Sequence, residues 1–105
     1  MMACCMPDGE YLLGGQDVIV TNGAARLKTS SLAGSVLTLD KAVKNVYKNC
    51  NLPLNEVVKM ATYNGAKHCK VDDHKGLIKE GYDADLILFD DNINIEKVFV
   101  LGKEI

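Results

Sequence analysis

The stretch that decides the fold is Lys75–Asp90, KGLIKEGYDADLILFD. Gly76 and Gly81 are predicted to mark turns, because glycine reaches backbone angles that strain other residues. Four apolar residues follow, from Leu86 to Phe89, and Asp90 ends the run. A short apolar run bounded by turn signals is typical of a strand buried on both faces. Such a strand needs covering layers, which the rest of the chain would have to supply.

Upstream of that stretch, three short strands are predicted near the start of the chain. They cover Glu10 to Leu13, Asp17 to Thr21 and Ala24 to Leu27. Gly14-Gly15 joins the first pair and Asn22-Gly23 joins the second. Asn-Gly between β-like runs is a strong hairpin signal, since both residues tolerate positive φ. The sequence therefore predicts a small antiparallel meander.

Two amphipathic helices are predicted between the meander and the buried strand. Each has apolar residues at i, i+3, i+4 and i+7, which places them on one face. These positions are Leu39, Ala42, Val43 and Val46 in the first helix and Leu54, Val57, Val58 and Ala61 in the second. Thr38 is a candidate cap of the first helix, and Pro53 suits the first position of the second.

After a break at residues 62–65, a third, short helix is predicted over 66–69, with Asn64 as its cap. A further strand is predicted from Ile95 to Leu101, with Gly102 starting a turn back. The elements together predict an α+β chain with a β-meander, two to three helices and C-terminal strands.

The composition restricts the class of protein. The chain has 105 residues, enough for one domain, and it is 48% hydrophobic and 25% charged. Its net charge is −2 without a basic stripe, so no nucleic-acid partner is expected. No apolar run approaches the roughly 20 residues of a membrane span, and the N-terminus lacks a signal peptide. A cytoplasmic protein without a membrane partner is expected.

The residue types that usually carry chemistry form no recognisable set. Four cysteines, Cys4, Cys5, Cys50 and Cys69, form no C-x-x-C pair and are predicted to be free thiols. The two histidines, His68 and His74, lack a second ligand at i+2 or i+4. We therefore predict no catalytic residue and no metal ligand in this chain.

Two pairs of carboxylates and one single carboxylate are better explained by local structure. Asp72-Asp73 and Asp90-Asp91 lack the spacing of a calcium loop and are predicted to be solvated turn residues. Asp85 precedes the apolar run, where its short side chain is predicted to accept hydrogen bonds from local backbone N–H groups rather than to be catalytic.

A candidate ligand-binding loop lies at Leu32, Ala33 and Gly34, within a polar loop over residues 28–35. A glycine flanked by small residues just before a helix lets a ligand approach the backbone closely. By itself this pattern equally fits a plain connecting loop.

Five segments, in this order, resemble one family. They are MPDGEYLLGG at residues 6–15, LAGS at 32–35, LTLD at 37–40, KMATYN at 59–64 and GLIKEGYDADL at 76–86. The chain thereby resembles, over nearly its whole length, the C-terminal part of the N-acetylglucosamine-6-phosphate deacetylase family of the amidohydrolase superfamily. Two departures are Cys5, where the family usually has glycine, and Gly65, where it usually has proline.

The resemblance implies a (β/α)8 barrel joined to a β-sandwich. Residues 1–75 would be the end of the barrel and 76–105 the returning strands of the sandwich. The implied activity is hydrolysis of N-acetyl-D-glucosamine 6-phosphate to D-glucosamine 6-phosphate and acetate, in amino-sugar catabolism. In the full-length family a divalent metal, zinc or iron, held by Glu and two His, activates water, and an Asp acts as acid and base. The resemblance places all of these upstream of Met1, so this chain alone is expected to bind no metal and to be inactive.

The same resemblance implies that Leu32, Ala33 and Gly34 contact the sugar phosphate substrate. Without a barrel, the apolar faces and the strands near Leu86 to Phe89 and Ile95 to Leu101 would be open, so a homo-oligomer is expected. Two alternatives remain: another sugar or cyclic-amide amidohydrolase, and an independent small α+β interaction module.

Overall fold

A computed structural model describes residues 6–105. Cys4 and Cys5, for which free thiols are predicted, lie outside these residues, whereas Cys50 and Cys69 are free and exposed. The contacts within the chain divide it after Thr38 into two compact units. The division into residues 1–75 and 76–105 that the resemblance implies stays a prediction. No helix in the described part is long and apolar enough to cross a membrane.

The first unit is a four-stranded antiparallel sheet in sequential order. Its strands are β1 (Gly9–Leu13), β2 (Gln16–Thr21), β3 (Ala24–Leu27) and β4 (Leu32–Gly34). The predicted meander is therefore confirmed.

The turn between β2 and β3 explains why this register forms. Asn22 and Gly23 have φ angles of 49° and 75°, the left-handed pair that a two-residue hairpin turn requires. The amide of Asn22 also donates to the carboxylate of Asp8 at 2.9 Å, which fixes the turn against the chain before β1.

The core of this unit lies on one face of the sheet. Val18, Val20 and Ala25 are buried, and Tyr11, Leu27, Ala33 and Val36 pack against them. Ile19 points to the opposite face and is 36% exposed. This alternation is the two-residue period of a half-buried strand.

The prediction of a plain loop over residues 28–35 is wrong at its end, because Leu32–Gly34 forms strand β4. A tight turn brings the chain back: Leu27 N–H donates to Ser31 O at 2.9 Å, and Ser30 N–H donates to Leu27 O at 2.8 Å. Arg26 Nη1 donates to Ser30 O at 2.8 Å and holds the turn from the side. Pairing along β3 then overrides the weak strand propensity of Leu-Ala-Gly.

The second unit begins with three helices, α1 (Leu39–Asn49), α2 (Leu54–Ala61) and α3 (Tyr63–Cys69). The first two match the predicted helical periods. Thr38 does not cap α1 through its side chain, since its buried Oγ1 finds no hydrogen-bond partner among residues 6–105.

The start of α3 differs from the prediction. The predicted break at 62–65 shrinks to one residue, Thr62, with φ −118° and ψ −84°, and Asn64 lies inside α3 rather than capping it. The N–H and Oγ1 of Thr62 both donate to Val58 O at 3.0 Å. These bonds end α2 and let α3 begin at once.

Three antiparallel strands complete the unit: β5 (Leu86–Phe89), β6 (Ile95–Val100) and β7 (Lys103–Glu104), in that order. The prediction that β5 is buried on both faces is wrong. It is an edge strand, and Ile87 and Leu88 are 53% and 45% exposed. Exposed apolar edges favour association between chains. The homo-oligomer expected from the sequence stays a prediction.

Gly76 lies where the chain crosses closest to α3. A Cβ placed on Gly76 would lie 2.8 Å from Ala66 Cβ and 3.0 Å from Tyr63 Cα, and φ is +90°. Gly81 has a similar φ of +84° but nothing within 4 Å of such an atom. Gly76 is thus required both because a side chain would collide with α3 and because its φ is positive. Gly81 is required only because its φ is positive.

The two glycines form a matched test of that distinction. Gly81→Ala should cost about 1 kcal/mol of unfolding free energy, because only the left-handed φ is penalised. Gly76→Ala should cost about 1–3 kcal/mol more, because the new methyl group overpacks against α3. Urea unfolding of both variants measures the difference, and equal losses would show that the α3 contact carries no energy.

Candidate functional site

The predicted substrate residues lie together on the edge strand β4. Leu32 stands opposite Arg26 and Gly34 opposite Ala25, with a register shift between these pairs. Leu32 is 70% exposed, whereas Ala33 packs against the core. An edge strand leaves one row of backbone N–H and C=O groups without a ladder partner. The arrangement can therefore present backbone groups to a ligand, and the role of these residues stays a prediction.

The chain leaves β4 in a defined direction. Ser35 Oγ accepts a hydrogen bond from Leu37 N–H at 3.1 Å. A hydroxyl that bonds the backbone two residues on stabilises a turn. The segment after Gly34 is thus shaped by its own side chains.

No metal centre comes together in the described residues. Among residues 6–105, no group of three or more His, Cys, Asp or Glu side chains could hold an ion. His74 Nδ1 lies 2.6 Å from Asp73 Oδ1 at an exposed position, and the hydrogen bond from His74 lowers the pKa of that carboxyl. His68 lies in the last turn of α3. These residues do not fit the metal that the resemblance implies.

A charged cluster that the sequence did not reveal surrounds Lys75. Its Nζ lies 2.7 Å from Asp83 Oδ2 and 2.6 Å from Asp85 Oδ2. Hydrogen bonds to the two carboxylates raise the pKa of Lys75. A lysine eight and ten residues before two aspartates is not a recognisable spacing, so only the fold brings these groups together.

Asp85 performs the role predicted for it only in part, because it accepts a backbone hydrogen bond but not from a local donor. Its Oδ1 accepts a hydrogen bond from Leu101 N–H at 2.9 Å, although the donor is 16 residues away rather than local. The hydrogen bond from Lys75, and then that from the Leu101 amide, lower the pKa of Asp85.

Asp90 also acts as a turn residue, as predicted for the Asp90-Asp91 pair. Its Oδ1 accepts from the amides of Asn92 and Asn94 at 2.9 and 2.8 Å. The backbone and side-chain hydrogen bonds from Asn94 lower the pKa of this carboxyl. The turn holds Ile93 at φ 59°, and Ile93 is only 4% exposed. Burial of this side chain offsets a backbone angle that is unusual for a β-branched residue.

A groove of about 970 Å³ opens in the second unit. The three helices, the segment around Lys75 and strands β5 and β6 line it. Its wall is mostly apolar, with Val43, Val58, Leu77, Ile87 and Ile95 among the lining residues. Part of each helical face that the periodicity predicts to be buried, Leu39 and Val43 of α1 and Val58 and Ala61 of α2, thus lines an open groove.

The lowered pKa values of Asp85 and Asp90 predict loss of stability in acid. A carboxyl whose folded pKa lies below its unfolded value of about 3.9 stabilises the fold above that pH. Its contribution disappears as the pH falls through the folded pKa. The raised pKa of Lys75 also stabilises the fold at neutral and acid pH, and that contribution is lost only in strong alkali, as the pH rises through the folded pKa.

We expect the urea midpoint to fall as the pH drops below about 4. Asp85→Asn should lower the midpoint at neutral pH and flatten the acid dependence, whereas the matched change Asp91→Asn should leave both nearly unchanged. An Asp85→Asn protein with the full acid dependence would contradict this assignment.

The chain is similar to proteins named as sugar-phosphate deacetylases over almost all of its length. It is 46% identical to N-acetylglucosamine-6-phosphate deacetylase of Lysinibacillus sphaericus, over 98% of this chain and 26% of that protein. It is 32% identical to N-acetylgalactosamine-6-phosphate deacetylase of Escherichia coli O157:H7, over 98% of this chain and 27% of that protein. The chain therefore spans about a quarter of the length of these relatives.

Solved structures agree with the sequence relatives. The crystal structure of N-acetylglucosamine-6-phosphate deacetylase from Pasteurella multocida superposes with a TM-score of 0.91 at 28% identity, covering 97% of this chain and 27% of that one. The corresponding enzyme from Thermotoga maritima gives a TM-score of 0.87 at 35% identity, covering 97% and 28%. The sequence profile of the amidohydrolase family matches residues 12–105. The chain therefore belongs to the amidohydrolase family.

Proposed function

We propose that this chain is the C-terminal part of a deacetylase that hydrolyses N-acetyl-D-glucosamine 6-phosphate in amino-sugar catabolism. The observation that carries the proposal is the 46% identity to the Lysinibacillus enzyme across 98% of the chain. Identity at that level over every element favours a shared role over a shared fold alone. The C-terminal position rests on the order of the five sequence segments.

The proposed reaction is hydrolysis of an amide. Water adds to the acetyl carbonyl, the C–N bond breaks, the sugar nitrogen takes a proton, and acetate and D-glucosamine 6-phosphate leave. A bound divalent metal, zinc or iron, would supply an activated water in the complete enzyme. Since the described residues form no group that could hold one, we assign the metal and the acid–base chemistry to parts of the enzyme outside this chain.

In this proposal, Leu32, Ala33 and Gly34 contact the sugar phosphate. Their place on an edge strand supports that role, because the outer backbone groups of β4 have no ladder partner in the sheet. A cytoplasmic location and a homo-oligomer belong to the same proposal. The exposed edge at Ile87 and Leu88 supports the second of these.

A second candidate substrate is N-acetyl-D-galactosamine 6-phosphate. The relative from Escherichia coli, 32% identical, carries that name. The two sugars differ only in the configuration of the C4 hydroxyl. Comparing kcat/KM of the complete enzyme for both sugars decides between them, and the higher identity of the Lysinibacillus relative favours the gluco sugar.

The isolated chain should release no acetate from N-acetylglucosamine 6-phosphate and retain no stoichiometric metal. The physical reason is the lack of a clustered ligand set in residues 6–105. An acetate-release assay together with metal analysis of the purified chain measures both. Turnover with bound zinc or iron would refute the assignment of the chemistry to other segments. The complete enzyme, assayed in parallel, must release acetate, and its failure would instead favour the alternative of an independent interaction module.

In the complete enzyme, Gly34→Val should raise KM or lower kcat by about tenfold, with a smaller effect on thermal stability. A side chain on β4 would fill the space through which the backbone meets the ligand. Ala24→Val, on the neighbouring strand β3, is the control for adding bulk to the same sheet. Steady-state kinetics and a thermal melt on both variants decide. Unchanged kinetics for Gly34→Val would contradict the proposed substrate contact, and residues 32–34 would then only connect β3 to the following segment.

A further inference from the structure

The segment Lys75–Asp85, which we call the strap, has its two ends bonded to each other. Lys75 Nζ lies 2.7 Å from Asp83 Oδ2 and 2.6 Å from Asp85 Oδ2. One residue before Lys75, His74 O accepts a hydrogen bond from Asp83 N–H at 2.9 Å. The two ends of an 11-residue stretch are therefore joined by one ammonium group and one backbone hydrogen bond.

The first end of the strap is fixed to α3. Lys75 N–H donates to Val71 O at 2.9 Å, and Val71 N–H donates to Ala66 O at 3.0 Å. Gly76 approaches Tyr63 and Ala66 so closely that a Cβ would collide with them. Position and backbone angle are thus both determined at this end.

The other end of the strap is fixed to the turn between β6 and β7. Asp85 Oδ1 accepts from Leu101 N–H at 2.9 Å, and Ala84 O accepts from Gly102 N–H at 3.0 Å. Leu101 and Gly102 are the two turn residues, with φ angles of 49° and 78°. A leucine at positive φ is costly, so this turn depends on outside hydrogen bonds.

We propose that the strap couples the order of the β6–β7 turn to α3, with Lys75 as the positioning residue. A single ammonium group holds two carboxylates side by side. Without it, Asp83 and Asp85 would repel each other, and Asp85 would no longer be held in place for the amide of Leu101. Release of the first end is thereby transmitted to a turn that Lys75 does not touch.

The strap also forms one wall of the apolar groove. Lys75, Leu77, Ile78 and Asp83 line the groove from the strap. Opening of the strap would widen the groove without unfolding α2 or α3. Partly exposed ion pairs contribute little to global stability, so the effect of Lys75 is local order.

Residue-resolved amide exchange on the chain tests the coupling, with Lys75→Met as the variant. Lys97→Met is the matched control, because it breaks the ion pair of Lys97 Nζ with Glu104 Oε1 at 3.0 Å, which lies within the β6–β7 hairpin. Lys75→Met should raise exchange about tenfold at the amides of Asp83, Leu101 and Gly102. It should leave the amides of α2 and α3 unchanged.

The other outcomes are equally decisive. Lys75→Arg, which keeps the charge and can bond both carboxylates, should restore protection at Leu101. Unchanged exchange at Leu101 and Gly102 in Lys75→Met would overturn the proposal. Equal loss of protection throughout residues 39–105 would also overturn it, since Lys75 would then support the whole unit. If Lys97→Met raised exchange at Leu101 and Gly102 by the same factor, the order of the turn would depend on the hairpin alone, and the proposal would be overturned.

Discussion

Lys75 lies between Asp83 and Asp85, and through Asp85 it is linked to the turn between β6 and β7. The three charges are 38%, 30% and 39% exposed in their side chains, so water screens them and their energy is modest. Their importance is geometric, because Asp85 uses one oxygen for Lys75 and the other for the Leu101 amide. That division of a single carboxylate links the strap to the last hairpin, beside the backbone hydrogen bond from Gly102 N–H to Ala84 O.

The sequence predicted best those parts of the fold in which two or three neighbouring residues determine the backbone. Asn22-Gly23 specifies a hairpin turn by its φ angles alone, and the strands on both sides follow from it. The periods of α1 and α2 likewise need only local information. Asp85 was predicted to accept hydrogen bonds from local backbone groups, but its backbone donor is the distant Leu101, and its partner Lys75 does not follow from local sequence either.

Two of the errors concern backbone hydrogen bonding that the residue types alone do not predict. Leu32–Gly34 becomes a strand because β3 offers a free edge, not because Leu-Ala-Gly prefers to be extended. The candidate substrate residues could therefore be chosen from sequence, whereas their placement on an edge strand could not. Thr62 shortens the break between α2 and α3 through two bonds to one carbonyl, a device with no sequence signature.

The exposure of β5 has a different explanation, since its apolar run was identified correctly and only its environment differs. A pattern of apolar residues predicts which face of an element is buried, but it does not predict which other element covers that face. Among the described residues of the second unit, Val57, Ala66 and Ile93 are the buried apolar side chains, a small core for residues 39–105. The faces of α1 and α2 and the edge of β5 border the same groove. The apolar pattern of α1, α2 and β5 thus predicts more burial than these elements provide for one another. The relatives to which the chain is similar are about four times as long. The exposure of β5 is therefore a matter of what packs against the strand, and not of a weak propensity of the strand itself.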